Sequence, residues 1–118
     1  MMYISLHRRM NVENTKSQMR KGILEFCILA FFKRGEAYPG DIIEEVRGAG
    51  LDLLEGTLYP LLTRLKNAGM LSYRWEESTS GPPRKYYSLT KEGEKFYKEL
   101  NENWERMSVA VNQINKKK

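Results

Sequence analysis

The chain has 118 residues, the size of one small domain with limited capacity to bury a core by itself. Its net charge of +5 favours an acidic partner such as nucleic acid, although many soluble proteins are equally basic. The single cysteine, Cys27, excludes an intrachain disulfide, and its apolar neighbours indicate a small buried hydrophobe. No apolar stretch is long enough to span a membrane or resembles a signal peptide, so we expect a cytoplasmic protein.

The first third of the chain predicts an arm followed by a long helix. Residues 1–15 include Arg8 and Arg9 but show no clear periodicity. A first helix is expected from about Lys16 to Lys33, and its second half, beginning at Phe26, is apolar on nearly every side. A surface helix of a monomer would not tolerate this composition, so we expect something besides its own domain to cover it.

Two further helices are expected to form a helix-turn-helix. Gly35 ends the first helix, and Pro39 is placed in the first turn of a second helix whose buried side is Ile42, Ile43 and Val46. A third helix is predicted from Thr57 to Gly69, because four leucines recur at helical spacing and form one buried stripe: Leu58, Leu61, Leu62 and Leu65. A short connection between two such helices is typical of DNA-binding proteins.

The other face of this third helix is polar and exposed in the prediction, and consists of Tyr59, Pro60, Thr63, Arg64 and Asn67. Pro60 has no amide hydrogen, so we expect it near the first turn, where it leaves the helix N-terminus free to approach a phosphate. Gly69 occupies the end of the helix, where a left-handed residue is favoured.

After Gly69 the hydrophobic period changes from helical to alternating, which predicts a β-hairpin. Leu71, Tyr73 and Trp75 alternate with polar residues as in a half-buried strand. A turn over residues 78–83 then leads to a second strand over residues 84–89 that begins with Arg84 and Lys85. A helix with a polar outer face followed by a basic hairpin is how a winged helix reads DNA.

The last helix is expected to begin after Thr90 as N-cap, with Glu92 in the first turn. Six apolar residues then recur with spacings of 3, 4, 3, 4 and 3, and we call them the seam: Tyr97, Leu100, Trp104, Met107, Val111 and Ile114. Either the seam packs on the chain's own core, or it joins two subunits. We favour the second interpretation, because a domain this small has little core left to cover so long a stripe and the first helix, including Phe26, also has surplus apolar surface.

Two separated segments resemble the PadR family of bacterial transcriptional regulators. They are residues 56–71, with Gly56-Thr57-Leu58-Tyr59-Pro60, and residues 81–93, with Lys85-Tyr86-Tyr87-Ser88-Leu89-Thr90. The similarity covers roughly residues 17 to 114 and is closest to the short subfamily, although Pro82-Pro83 departs from the usual family pattern. The resemblance implies a winged helix-turn-helix and a C-terminal helix that pairs with the N-terminal region of a second subunit.

Seven residues are candidate DNA contacts: Thr57, Tyr59, Pro60, Thr63, Arg64, Arg84 and Lys85. The hydroxyls suit phosphates or base edges, and a guanidinium can bind guanine or phosphate with two hydrogen bonds. For each residue an ordinary exposed side chain is the alternative, and Arg64 can instead form an ion pair on the surface. Arg84 and Lys85 can equally be a charged strand edge that prevents aggregation.

Trp104 is a candidate effector-binding residue. Some members of the resembled family that respond to flat aromatic drugs use a tryptophan on this helix, paired with its symmetry mate, to hold the ligand between two indoles. In this chain Trp104 lies at the corresponding position of the helix that follows Gly93. The alternative is a bulky residue that only packs in the seam.

No catalytic or metal-binding pattern is present, and no cofactor is expected. The only histidine, His7, lies in the arm, and neither a phosphate-binding glycine loop nor metal-ligand spacing occurs. We therefore expect a mainly α protein with a small β-hairpin, divided into an arm (1–15), a winged helix-turn-helix (16–89) and a dimerisation helix with a basic tail (90–118). The expected function is that of an effector-responsive repressor that binds a near-palindromic operator in double-stranded DNA as a homodimer. The alternative is a dimeric small-molecule-binding protein with only nonspecific DNA affinity.

Overall fold

The computed structural model describes residues 10–117, so the greater part of the arm, including His7, and the terminal Lys118 lie outside the described residues. Within residues 10–117, four helices and one antiparallel hairpin follow one another: α1 (Val12–Lys33), α2 (Pro39–Gly48), α3 (Glu55–Asn67), β1 (Leu71–Ser78), β2 (Gly81–Leu89) and α4 (Lys91–Lys116). The predicted mainly α architecture with a small β-hairpin is confirmed. We call the β1–β2 hairpin the wing.

The first helix begins about one turn earlier than Lys16, the residue at which the sequence placed its start. The side chain of Asn11 accepts a hydrogen bond from the Asn14 amide at 3.2 Å, and Glu13 stands in the first turn. A side-chain cap and an acidic residue both stabilise a helix N-terminus, and this local signal lies upstream of the apolar periodicity used for the prediction. Residues 12–15 therefore belong to α1 and not to an arm.

The core lies where α1, α2 and α3 meet the base of the wing. The buried residues come from every element of this part of the chain: Leu24, Ile28, Leu29, Phe32, Ile42, Ile43, Val46, Leu53, Leu58, Leu62, Leu65, Leu71 and Tyr87. The predicted leucine stripe of α3 is confirmed for three of its members, whereas Leu61 is only half-buried at the edge of the core. Because the stripe faces inward, the polar face of α3 is turned to solvent.

Pro60 lies in the second turn of α3, so its placement near the first turn is wrong. The helix starts at Glu55, where the Leu54 carbonyl accepts hydrogen bonds from the amides of Thr57 and Leu58, both at 2.9 Å. Pro60 has no amide hydrogen and so cannot donate to the carbonyl of Gly56, four residues earlier. The start of α3 is therefore less tightly bonded than its C-terminal half.

The wing is longer than predicted, because its strands continue through most of the expected turn. Ser78 pairs with Gly81, which leaves only Thr79 and Ser80 as the turn and places both prolines inside β2. Proline is tolerated in a two-stranded ribbon because each strand has one edge without a partner. At its base the wing is attached to the α1–α2 loop by a reciprocal bridge between Ala37 and Tyr87, with N–H···O distances of 3.0 and 2.9 Å.

The expected alternation of β1 holds only near the core. Leu71 is buried and Tyr73 is half-buried, but Trp75 is 60% exposed. The outer half of the wing extends past the helical core, so its inward face has nothing to pack against.

The start of α4 is fixed by Thr90, as predicted. Its hydroxyl donates to the Gly69 carbonyl at 2.6 Å and accepts from the Gly93 amide at 3.0 Å, and Gly69 has the expected positive φ of 82°. Gly93 is buried so close to the Met70 carbonyl that any side chain at this position would collide with it. These contacts tie the end of α3 to the start of α4 and explain the glycine three residues after the cap.

Candidate nucleic-acid interface

An open cleft of about 560 Å³ separates α3 from the wing, and we call it the cleft. The leucine stripe holds α3 so that Tyr59 and Thr63 face the cleft, and Tyr59 is 42% exposed. The opposite wall is formed by β2 with Arg84 and Lys85. The structure thus brings together four of the seven predicted contact residues.

The other three predicted residues lie outside the cleft. Thr57 and Pro60 are exposed on α3 and line a second groove, which α1 closes with Arg20 and Lys21. Two cations beside the start of α3 were not recognised in the sequence, because they precede the apolar half of α1 and look like an ordinary charged face. Arg64 is also exposed and is directed toward α1.

The ion-pair alternative for Arg64 has a definite partner in the structure. Its Nη1 atom lies 3.0 Å from Oε2 of Glu25, whose side chain is only 16% exposed. That oxygen is buried and has no hydrogen bond, because the approach of Arg64 has the distance of an ion pair without hydrogen-bond geometry. Base contact by Arg64 stays a prediction, and such contact would compete with this pair.

The two wing cations rest on different aromatic side chains. The Arg84 guanidinium lies 4.6 Å from the ring centroid of Tyr38, whereas the Lys85 ammonium lies 4.5 Å from Tyr73 and 5.2 Å from Trp75. Arg84 and Lys85 contact different rings because neighbouring strand residues point to opposite faces. A cation on an aromatic face keeps its outward N–H groups free for other acceptors.

The base of the wing is held by a separate charged contact. Arg74 donates two hydrogen bonds to Glu36, each at 2.7 Å, and a weaker one to Glu76 at 3.3 Å. The hydrogen bonds from Arg74 lower the pKa of Glu36 and raise that of Arg74 itself. Arg74 is therefore paired with carboxylates of its own chain.

Tyr59 presents a neutral hydroxyl to the cleft. Burial of the phenol raises its pKa, and the neighbouring Tyr38 and Glu55 raise it further. A neutral phenol both donates and accepts hydrogen bonds, which suits a contact to a phosphate oxygen or a base edge.

The seam divides into two parts on the single chain. Near the start of α4, Tyr97 and Leu100 are half-buried, and the Tyr97 ring stacks on Phe26 at 5.7 Å. From Trp104 onward the seam is exposed, with Ile114 74% accessible. A cavity of about 300 Å³ lies between α1 and α4 at the division and is lined by Met19, Phe26, Leu100, Trp104 and Met107 among others.

Two findings concern residues 10–117 as a whole. No helix in this range is long and apolar enough to cross a membrane. Within the same range no three histidine, cysteine, aspartate or glutamate side chains converge as a metal site requires.

Cys27 is half-buried, and burial raises the pKa of its thiol, which disfavours the reactive thiolate.

An exposed helix face beside a basic hairpin defines a winged helix-turn-helix protein. The model of the transcriptional regulator PadR-like family matches residues 28–99. The chain belongs to this family of DNA-binding transcriptional regulators, which are not enzymes, and the resemblance seen in the sequence is confirmed.

Solved structures agree with this assignment. A PadR-like transcription factor from Bacteroides fragilis is 56% identical, with a TM-score of 0.73 over 86% of this chain and 98% of that chain. A PadR-like transcriptional regulator from Bacillus cereus is 32% identical, with a TM-score of 0.78 over 86% and 99% of the two chains. The PadR of Bacillus subtilis in complex with operator DNA is 23% identical, with a TM-score of 0.61 over 66% of this chain and 46% of that chain, which shows a common fold.

Proposed function

We propose that this protein is a sequence-specific repressor that binds a near-palindromic DNA operator as a homodimer and is released by an effector. The observation that carries the proposal is the cleft, which Tyr59 and Thr63 line from α3 and Arg84 and Lys85 line from β2. A helix that reads a groove and a wing that holds the adjacent backbone require this arrangement.

Within this proposal the contact residues have separate roles. Thr57, Tyr59 and Thr63 bond phosphates or base edges, and Pro60 lies beside them on the exposed surface of α3. Arg64 reads a guanine once it leaves Glu25. Arg84 and Lys85 neutralise phosphates, and their positions on aromatic faces support this role.

The dimer is proposed to form through the seam and Phe26, so that residues 16–89 bind DNA and residues 90–118 join the subunits. The apolar residues Met107, Val111 and Ile114 support this division, because they are exposed in a regular row on the single chain. The two α3 helices would then enter successive major grooves about 34 Å apart.

The effector is proposed to be a planar aromatic compound held between Trp104 and its symmetry mate. The cavity beside Trp104 supports this proposal, because apolar side chains of α1 and α4 line it and Trp104 is 43% exposed. Such a ligand alters DNA binding only if it favours one spacing of the α3 helices over another.

Selection of genomic fragments by the purified protein, followed by footprinting of the retained DNA, tests the DNA-binding proposal. We expect a protected site with two related halves. The alternative, a dimeric small-molecule-binding protein with nonspecific DNA affinity, predicts retention of random fragments and no protected site.

Tryptophan fluorescence tests the effector proposal. The Trp75→Phe variant leaves Trp104 as the reporting indole, and a flat cationic dye should quench it. Operator DNA should change the dye affinity by the same factor as the dye changes operator affinity. Equal binding of the dye by Trp104→Ala and the parent would show that Trp104 only packs.

A further inference from the structure

Tyr38 connects the helix-turn-helix to the wing through its contact with Arg84, a candidate DNA contact. Tyr38 is the N-cap residue of α2, and its ring carries the Arg84 guanidinium at 4.6 Å. The same ring lies 6.2 Å from that of Tyr86, which shares a strand face with Arg84. Among residues 10–117 Arg84 has no carboxylate within ion-pair distance, in contrast to Arg74 on the same face.

The position of the Tyr38 ring depends on the glycine two residues later. A Cβ atom at Gly40 would lie 2.5 Å from Cε2 and 3.1 Å from Cδ2 of Tyr38, so the ring occupies the space that any side chain would take. Gly40 lies inside α2 and is not among the glycines with positive φ, which are Gly35, Gly50 and Gly69. The backbone therefore does not require glycine at position 40, whereas the ring does.

We propose that Tyr38, seated over Gly40, is a positioning residue that holds Arg84 toward the DNA backbone. A long arginine side chain loses conformational freedom when it binds, and a side chain that is already held loses less. The cation–π contact uses the flat face of the guanidinium and leaves its N–H edge available for phosphate oxygens. This inference rests on the proposed DNA-binding function and adds a residue that the sequence did not suggest.

Three substitutions distinguish the effect of the Tyr38 ring from the effect of its hydroxyl and from the effect of the space over Gly40. Tyr38→Leu removes the aromatic face, Tyr38→Phe keeps it, and Gly40→Ala displaces it while favouring the helix. We expect Tyr38→Leu and Gly40→Ala to weaken operator binding about two- to fivefold, the range of an exposed cation–π contact, and Tyr38→Phe to bind as the parent does. The salt dependence of Tyr38→Leu should equal that of the parent, because Arg84 still reaches the phosphate.

A double-substitution cycle identifies Arg84 as the residue through which Tyr38 acts. In an Arg84→Ala background, Tyr38→Leu should have no further effect on DNA binding. Lys85 is the matched control, since it rests on Tyr73 and Trp75, and Tyr38→Leu should keep its full effect in Lys85→Ala. A loss on Tyr38→Leu that persists in Arg84→Ala would show that Tyr38 contacts DNA itself and would overturn the proposal, as would the absence of any loss in the parent.

A measurement without DNA separates failure of this inference from failure of the proposed function. The δ-methylene protons of Arg84 should show an upfield ring-current shift in NMR spectra of the parent and of Tyr38→Phe, and should lose it in Tyr38→Leu and Gly40→Ala. Normal shifts in the parent would overturn the inference alone. A parent protein that shows the ring-current shift but no operator binding would overturn the proposed function and, with it, the role of the contact in DNA binding.

Discussion

The helices α3 and α4 carry the same kind of apolar stripe but bury it to different extents. In α3 the residues Leu58 and Leu62 are fully buried and Leu65 is 2% exposed. In α4 the corresponding row ends with Val111 at 50% and Ile114 at 74% exposure. A regular apolar row therefore predicts that a helix packs, but does not say against which chain.

The difference follows from the length and position of the two helices. The 13 residues of α3 lie within the span of the core, between α1 and the wing. The 26 residues of α4 extend for about 39 Å at the helical rise and leave the core after Leu100. The outer part of α4 thus has an apolar face that no other part of residues 10–117 covers, whereas α3 turns its polar face to solvent.

A charge in the outer seam is expected to have the largest effect. Val111→Asp would place an unpaired charge in the proposed subunit interface and lower stability by about 3–5 kcal/mol, giving unfolded or aggregated chains. Val109→Asp is the matched control, because Val109 is 58% exposed and lies on the other side of α4. Sedimentation velocity and urea unfolding measure both variants. A stable folded monomer from Val111→Asp would show that the seam packs within one subunit.

Truncation in the stripe of α3 is expected to be costly for a different reason. Leu62→Ala removes a fully buried side chain and should lower the free energy of unfolding by about 2–5 kcal/mol, through lost burial and the cavity left behind. Urea denaturation measures this loss, and the folded variant should keep the oligomeric state of the parent, which is proposed to be a dimer. Dissociation into folded monomers would contradict the assignment of this stripe to the internal core.

Substitution of Arg64 tests what the outer face of α3 does. Arg64→Ala should weaken operator binding by about 1–3 kcal/mol if the side chain reads a base. Titration against operator and random DNA of equal length measures the effect. Equal losses on both would make Arg64 a phosphate contact, and no loss on either would leave it as the ion-pair partner of Glu25.

The wing cations should alter the salt dependence of binding more than its sequence preference. Arg84→Ala or Lys85→Ala should each reduce the number of neutralised phosphates by about one, and so flatten the slope of affinity against salt. Lys98→Ala, on the exposed surface of α4, serves as a cationic control. Slopes that stay equal to the parent's in both wing variants would exclude the wing as a backbone contact.

The smallest effect is expected at the base of the wing. Hydrogen bonds from Arg74 lower the pKa of Glu36 below its ordinary value of 4.5, so the folded state favours the carboxylate. This contribution to stability is complete above pH 4.5 and is lost as the pH falls through the lowered folded pKa. Thermal unfolding should show that the parent's advantage over Glu36→Gln shrinks in acid. An advantage that is independent of pH would contradict this linkage.

Local patterns in the sequence were sufficient for most of the fold. The leucine spacing of α3, the cap at Thr90 and the left-handed Gly69 are all present as expected, because each depends on residues within one turn of one another. The predicted start of α1 and the predicted extent of the wing were wrong. In both places a local signal other than hydrophobic period decided the outcome, namely the Asn11 cap and the pairing of Ser78 with Gly81.

The sequence by itself determined which residues face outward on α3 and that the wing is basic, since periodicity and residue type state both directly. Only the tertiary structure decided that Arg64 meets Glu25 and that Arg84 lies on Tyr38. Both contacts join residues far apart in the chain, so no spacing rule relates them. The packing of the helices places a half-buried carboxylate against Arg64 and an aromatic ring against Arg84, and these two arginines therefore have different surroundings.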